Sequence, residues 1–172
     1  MNGNEIISSL IAEFRRGTAL IGQLDDSAYT ERLGGAASVG EHFRHNLEFG
    51  FNLVKGVETG KLDYCDRQRD PRIETERPYA IEKTGSLIQS IEGLKGIDPE
   101  RPLQTRSEID DNLWLPTSLA RELEFLHSHT VHHYALIAAK LGSMNIEVPF
   151  EFGVAPSTLK YWESRDRKTA KA

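Results

Sequence analysis

The chain is poor in cysteine. Its 172 residues include one, Cys65. That excludes an intrachain disulfide, and it excludes a zinc site built from several thiolates of one chain. Basic residues are not in excess either. Lys+Arg is 21 against Asp+Glu 26, a formal net charge of −5, so the positive field that general nucleic-acid binding needs is missing. Long apolar runs are lacking as well. The run Tyr134 to Ala139 is far short of the roughly 20 residues that cross a bilayer, and no membrane partner is expected. The start, Met1-Asn2-Gly3-Asn4-Glu5, has no basic region, and Ser8, Ser9 and Glu13 break the apolar stretch behind it. No signal peptide is expected there, and the expected compartment is the cytoplasm.

What is present is the composition of a globular protein, 38% hydrophobic and 27% charged. A chain of this length buries roughly 70% of its unfolded surface as one domain. We place that domain at 1–164, followed by a basic tail, 165–172, expected to fray. Apolar spacing predicts a first helix from about Asn4 to Leu24 and a short turn of helix near Ser27 to Leu33. A second helix opens at Ser38, with Glu41 three residues on as a capping box, and ends near Gly60. A third runs from about Tyr79 to Gly93 or Lys95. A fourth starts at the cap Ser118 and ends near Leu141. Between the second and third lies a highly charged strap, 61–78. Between the third and fourth, weak alternation around Asp110-Asp111-Asn112 predicts a short hairpin. The expected fold is all-α: a four-helix bundle with long crossover connections.

The six histidines fall in two windows, His42 to His45 and His127 to His133. On the fourth helix a rotation of about 100° per residue puts His133 at the centre of the apolar sector and His129 about 40° away. His127 and His132 fall at or beyond its edges and are expected near the surface. Burying two imidazoles costs several kcal/mol unless their nitrogens are paired, and an i, i+4 pair can share one metal ion. On the second helix the same rotation chooses His42 and leaves His45 at the boundary. Glu122 shares the apolar sector of the fourth helix. It is a candidate partner for an imidazole, a candidate base for bound water, or a first-turn residue favoured by the helix dipole.

Ser38-Val39-Gly40-Glu41-His42-Phe43-Arg44-His45 and Ser128-His129-Thr130-Val131-His132-His133 resemble the two motifs of the DinB-like (YfiT-like) superfamily of bacterial four-helix-bundle metalloenzymes. The strap and the segment Phe152 to Thr158 resemble one subgroup of it. The resemblance implies a divalent metal held at the positions of His45, His129 and His133, with His42 kept in reserve from the periodicity. One departure is Tyr134-Ala135-Leu136, where many relatives carry Arg-Gly-Gln.

Three neutral imidazoles leave a divalent ion an open position, and zinc, nickel and iron all suit them. The expected function is that of a metal-dependent enzyme activating water or a low-molecular-weight thiol, as a hydrolase or transferase. Its partners would be a small-molecule substrate and a thiol cosubstrate, and a homodimer is compatible. The alternative is a non-catalytic helical-bundle binding or sensing protein with a structural metal or none. Tyr64, Arg67 and Glu122 are the catalytic candidates, and Asp63 and Arg72 are further candidates for lining the pocket.

Overall fold

A computed structural model describes residues 3–66 and 68–169, with side chains up to 165. Among the described residues there are seven helices and three strands: α1 (Gly3–Gln23), α2 (Asp26–Thr30), α3 (Val39–Thr59), β1 (Lys61–Leu62), α4 (Pro71–Thr75), α5 (Arg77–Glu92), β2 (Pro102–Arg106), β3 (Trp114–Ser118), α6 (Leu119–Ser143) and α7 (Pro156–Thr169).

The four long helices α1, α3, α5 and α6 pack on one another around a core that includes Leu10, Phe14, Phe43, Leu47, Leu53, Leu87, Leu123 and Tyr134. The start of α3 is set locally. Ser38 Oγ accepts from the Glu41 amide at 3.0 Å, and Glu41 Oε2 accepts from the Ser38 amide at 2.8 Å, so two amides without helical partners are satisfied at once. Gly60 closes the helix in the left-handed conformation at φ 80°, which glycine adopts without steric cost.

The expected all-α bundle is corrected by a sheet. β2 and β3 pair antiparallel, with Leu103 opposite Thr117 and Arg106 opposite Trp114. β1 then joins β2 in parallel, with Lys61 opposite Gln104, and the strand order is β1-β2-β3. The hairpin was expected, but the third strand was not. It is two residues long, too short to show any period, and it forms because the turn at Gly60 delivers the chain to the edge of β2, where the Gln104 amide donates to the Gly60 carbonyl at 3.0 Å.

The strap also contains α4, which begins at Pro71 behind the cap Asp70 and lies against the start of α3. A Cβ on Gly40 would stand 2.1 Å from the Glu74 carbonyl oxygen, so this contact requires glycine. At the other end of the chain, α7 carries regular structure through to Thr169, past the 165 at which a frayed tail was expected. Residues 170–172 lie outside the described residues. Among the described residues no helix is long and apolar enough to cross a membrane.

Candidate metal centre

The two histidine windows meet between α3 and α6. His45, His129 and His133 each offer a ring nitrogen, and these three atoms lie within 4.8 Å of one another. His45 Nε2 and His129 Nε2 are 3.2 Å apart. Zinc–imidazole bonds of about 2.0–2.1 Å at tetrahedral angles would set two nitrogens about 3.3 Å apart. The spacing therefore fits a pair of ligands to one ion. The rings of His45 and His133, and of His129 and His133, both have centroids 4.6 Å apart.

His42, the choice of periodicity, does not enter this group. Its Nδ1 lies 2.9 Å from Nδ1 of His133. Nδ1 of His133 thus faces His42. Periodicity misjudged α3 because that helix has neighbours on several sides. Besides its apolar face it buries Asn46, Glu48 and Phe49, so a boundary position on one face becomes an inward position on another. The same reason corrects His127. Expected near the surface, it is 5% exposed, and its Nε2 shares a hydrogen bond with Ser9 Oγ of α1 at 3.2 Å. His132 is exposed.

Burial, followed by the neighbouring His129, His45 and His42, pushes His133 down to about 3. Burial also lowers His42. His133 is therefore neutral near pH 7, the state in which an imidazole binds a metal. Half-buried and converging, the three rings fit a divalent ion, and the absence of a carboxylate or thiolate among them would leave the ion its full charge.

Phe49, one turn after His45 on α3, was not singled out in the sequence. Its ring stacks on His129 at 4.2 Å and 17°, and on Tyr64 at 4.9 Å and 11°. The signal that could have found it is its i, i+4 spacing from His45. Tyr64 closes this stack from the strap. Its hydroxyl donates to Glu122 Oε2 at 2.8 Å, and burial, with Glu122 beside it, raises its pKa well above the usual phenol range. Glu122 is fully buried, and its Oε1 accepts from Thr117 Oγ1 at 2.7 Å and from Arg121 at 3.2 Å. None of these partners is an imidazole. Glu122 anchors the strap and β3 to α6, and of its expected roles that of a base for bound water finds no support in these contacts.

The other pocket candidates are engaged elsewhere. Asp63 accepts from Arg106 of β2 at 2.7 Å. Arg72 pairs with Glu76 at 2.9 Å and lies over the Tyr79 ring. Arg67 lies outside the described residues.

No family model matches the chain. Among curated proteins it is similar to "FK506-binding protein 5" of Rhizopus delemar, 34% identical over 104 residues. The match takes in 58% of this chain and 27% of that protein, so the chain spans about a quarter of the relative's length. This comparison corrects the expected function. The relative carries the name of a binding protein, where a metal-dependent hydrolase or thiol transferase was expected. The description of the chain as a DinB-like four-helix-bundle metalloenzyme is not retained, and the bundle of the non-catalytic alternative falls with the all-α fold. The three histidines stand as a candidate metal site.

Proposed function

We propose that this chain is a binding domain whose three imidazoles take up a divalent metal ion, with His45, His129 and His133 as the ligands. The observation that carries the reading is the convergence of three half-buried ring nitrogens within 4.8 Å. When bound, the ion would supply a positive charge between α3 and α6 and an attachment point for a donor atom of a ligand. Zinc, nickel and iron are all compatible with an all-imidazole set. The chain's own residues do the rest. His42 orients His133 through the Nδ1–Nδ1 contact, Phe49 covers the face of His129, and Tyr64 and Glu122 hold the strap beside them. The resemblance of the two histidine motifs to the DinB-like superfamily belongs to this proposal as a statement about ligands, and it carries no reaction with it. Cytoplasmic residence belongs to it too.

The test is calorimetric titration of untagged, chelator-stripped protein with zinc, nickel and ferrous ions. Saturable uptake of one ion per chain, lost in His129→Ala and in His133→Ala, supports the reading. Uptake that is the same in both variants and the wild type would end it.

A second reading comes from the relative's name. We propose that FK506 or a macrolide like it is a ligand of proteins carrying this domain. Titrating FK506 into the chain tests whether the domain itself contributes, and an absence of heat or spectral change at saturating FK506 would remove the domain from that role.

A further inference from the structure

A cavity of about 400 Å³ opens between α3, the strap and α5, and no histidine lines it. Its volume is within the range of small-molecule sites, roughly 300–1,000 Å³. One wall is apolar, from Phe51 and Ile73, and Glu48 and Lys83 line it as well. The far edge is tied down, because Asn52 Nδ2 donates to the Asp66 carbonyl at 3.1 Å and Lys55 reaches the Asp66 carboxylate at 3.3 Å.

Glu48 is the unusual member. Its side chain is 8% exposed. Oε2 accepts from Arg44 at 2.6 Å, while Oε1 is buried with no hydrogen-bond partner. Arg44 is shared, since it also pairs with Glu74. One guanidinium thus faces two carboxylates, and the group carries a net charge of −1. A buried carboxylate oxygen left without a donor is costly. An ammonium group is the ligand part that would match that charge. Lys83 presents the opposite need. Among the described residues no ion pair holds it, and its ammonium sits 5.2 Å from the centre of the Tyr79 ring. The cavity is therefore lined by a carboxylate from a group with excess negative charge and by a cation with no ion pair among the described residues, with an apolar wall between α3 and α4.

We propose that this cavity binds a small amino-carboxylate, with its ammonium on Glu48, its carboxylate on Lys83 and its methylenes against Phe51 and Ile73. The site does not depend on the metal centre. The test is an amide NMR titration of the full chain in the presence of a chelator. The probes are β-alanine, γ-aminobutyrate and ε-aminocaproate, each compared with n-butylammonium and with butyrate. The amino-carboxylate of best length is expected to shift the amides of Glu48, Phe51, Ile73 and Lys83, and to bind at least tenfold more tightly than either single-charge probe. Lys83→Met, which loses no ion pair among the described residues, is expected to keep the melting temperature and weaken binding at least tenfold. Glu48→Gln should do the same to binding, and its spectrum checks that it folds. His129→Ala should bind like the wild type, so failure of the metal reading leaves this site standing. No shift with any amino-carboxylate at millimolar concentration would overturn the proposal. So would equal affinity for n-butylammonium, or unchanged binding in Lys83→Met.

Discussion

His45 and His129 stand 84 positions apart in sequence and bring their Nε2 atoms to 3.2 Å. Two ring nitrogens at that spacing share one hydrogen bond or one ion. The surrounding contacts, with Phe49 stacked on His129 and His42 on Nδ1 of His133, hold the rings in place for either.

Metal should stabilise the fold. A ligand at one hundred times its Kd adds about 2.7 kcal/mol. For a chain of this size each kcal/mol is worth roughly 2–4 °C in melting temperature. Saturating zinc or nickel is expected to raise the Tm by about 5–10 °C, and chelator should reverse the rise. Scanning calorimetry with and without the ion reads it directly, and His133→Ala should show no metal-dependent shift.

Without metal, acid should destabilise the protein through the same histidine. The folded state holds His133 at about 3, against 6.5 when unperturbed. Between these values the unfolded chain binds the extra proton, so stability falls as pH drops through 6.5 and stops falling from this source below about 3. Carboxylates titrate mainly below about pH 4.5, so the window from pH 6.5 to 5 isolates the imidazoles. In chelator, the Tm of wild type should fall across that window more steeply than that of His133→Ala. Parallel curves would contradict the lowered pKa.

Tyr64→Phe removes one donor from the buried Glu122 and leaves Thr117 and Arg121. Hydrogen bonds to charged groups are worth about 1.5–3 kcal/mol. A Tm lower by several degrees is expected, with metal affinity changed little, because Tyr64 reaches the centre through the rings of Phe49 and Phe125 and not by direct contact with an imidazole among the described residues. A large loss of metal affinity would place Tyr64 closer to the ion than the structure does.

Two glycines should respond in opposite directions. Gly40→Ala drives a methyl group into the Glu74 carbonyl, and overpacking of this kind costs about 1–3 kcal/mol. Gly85 lies inside α5 with nothing within 4 Å of a Cβ, so Gly85→Ala should stabilise by about 0.4–1 kcal/mol. Urea melts of the two variants beside wild type measure both. A neutral Gly40→Ala would show that α4 does not press on α3.

Local signals were legible in the sequence and long-range ones were not. The Ser38–Glu41 box and the spacing of His129 and His133 depend on residues within one turn of each other, and the structure shows both arrangements. His45 was misplaced by periodicity because α3 is buried on several sides, and His127 was misplaced because α6 also packs on α1. The β1 strand is two residues long and owes its place to β2, more than forty positions away by its pairing of Lys61 with Gln104. The stack of Tyr64, Phe49 and His129 joins the strap to two helices, and no local pattern encodes it. The glycine of the Val39-Gly40-Glu41 segment carried a packing requirement that only the position of Glu74 reveals.

The most direct test of the central claim is X-ray absorption on the zinc- or nickel-loaded chain, compared with the His45→Ala, His129→Ala and His133→Ala variants. A single ion with three imidazole ligands at about 2.0–2.1 Å is expected in the wild type, with loss of the bound ion or of one imidazole in each variant. An ion with no imidazole scattering, or the same spectrum in all four proteins, would contradict it.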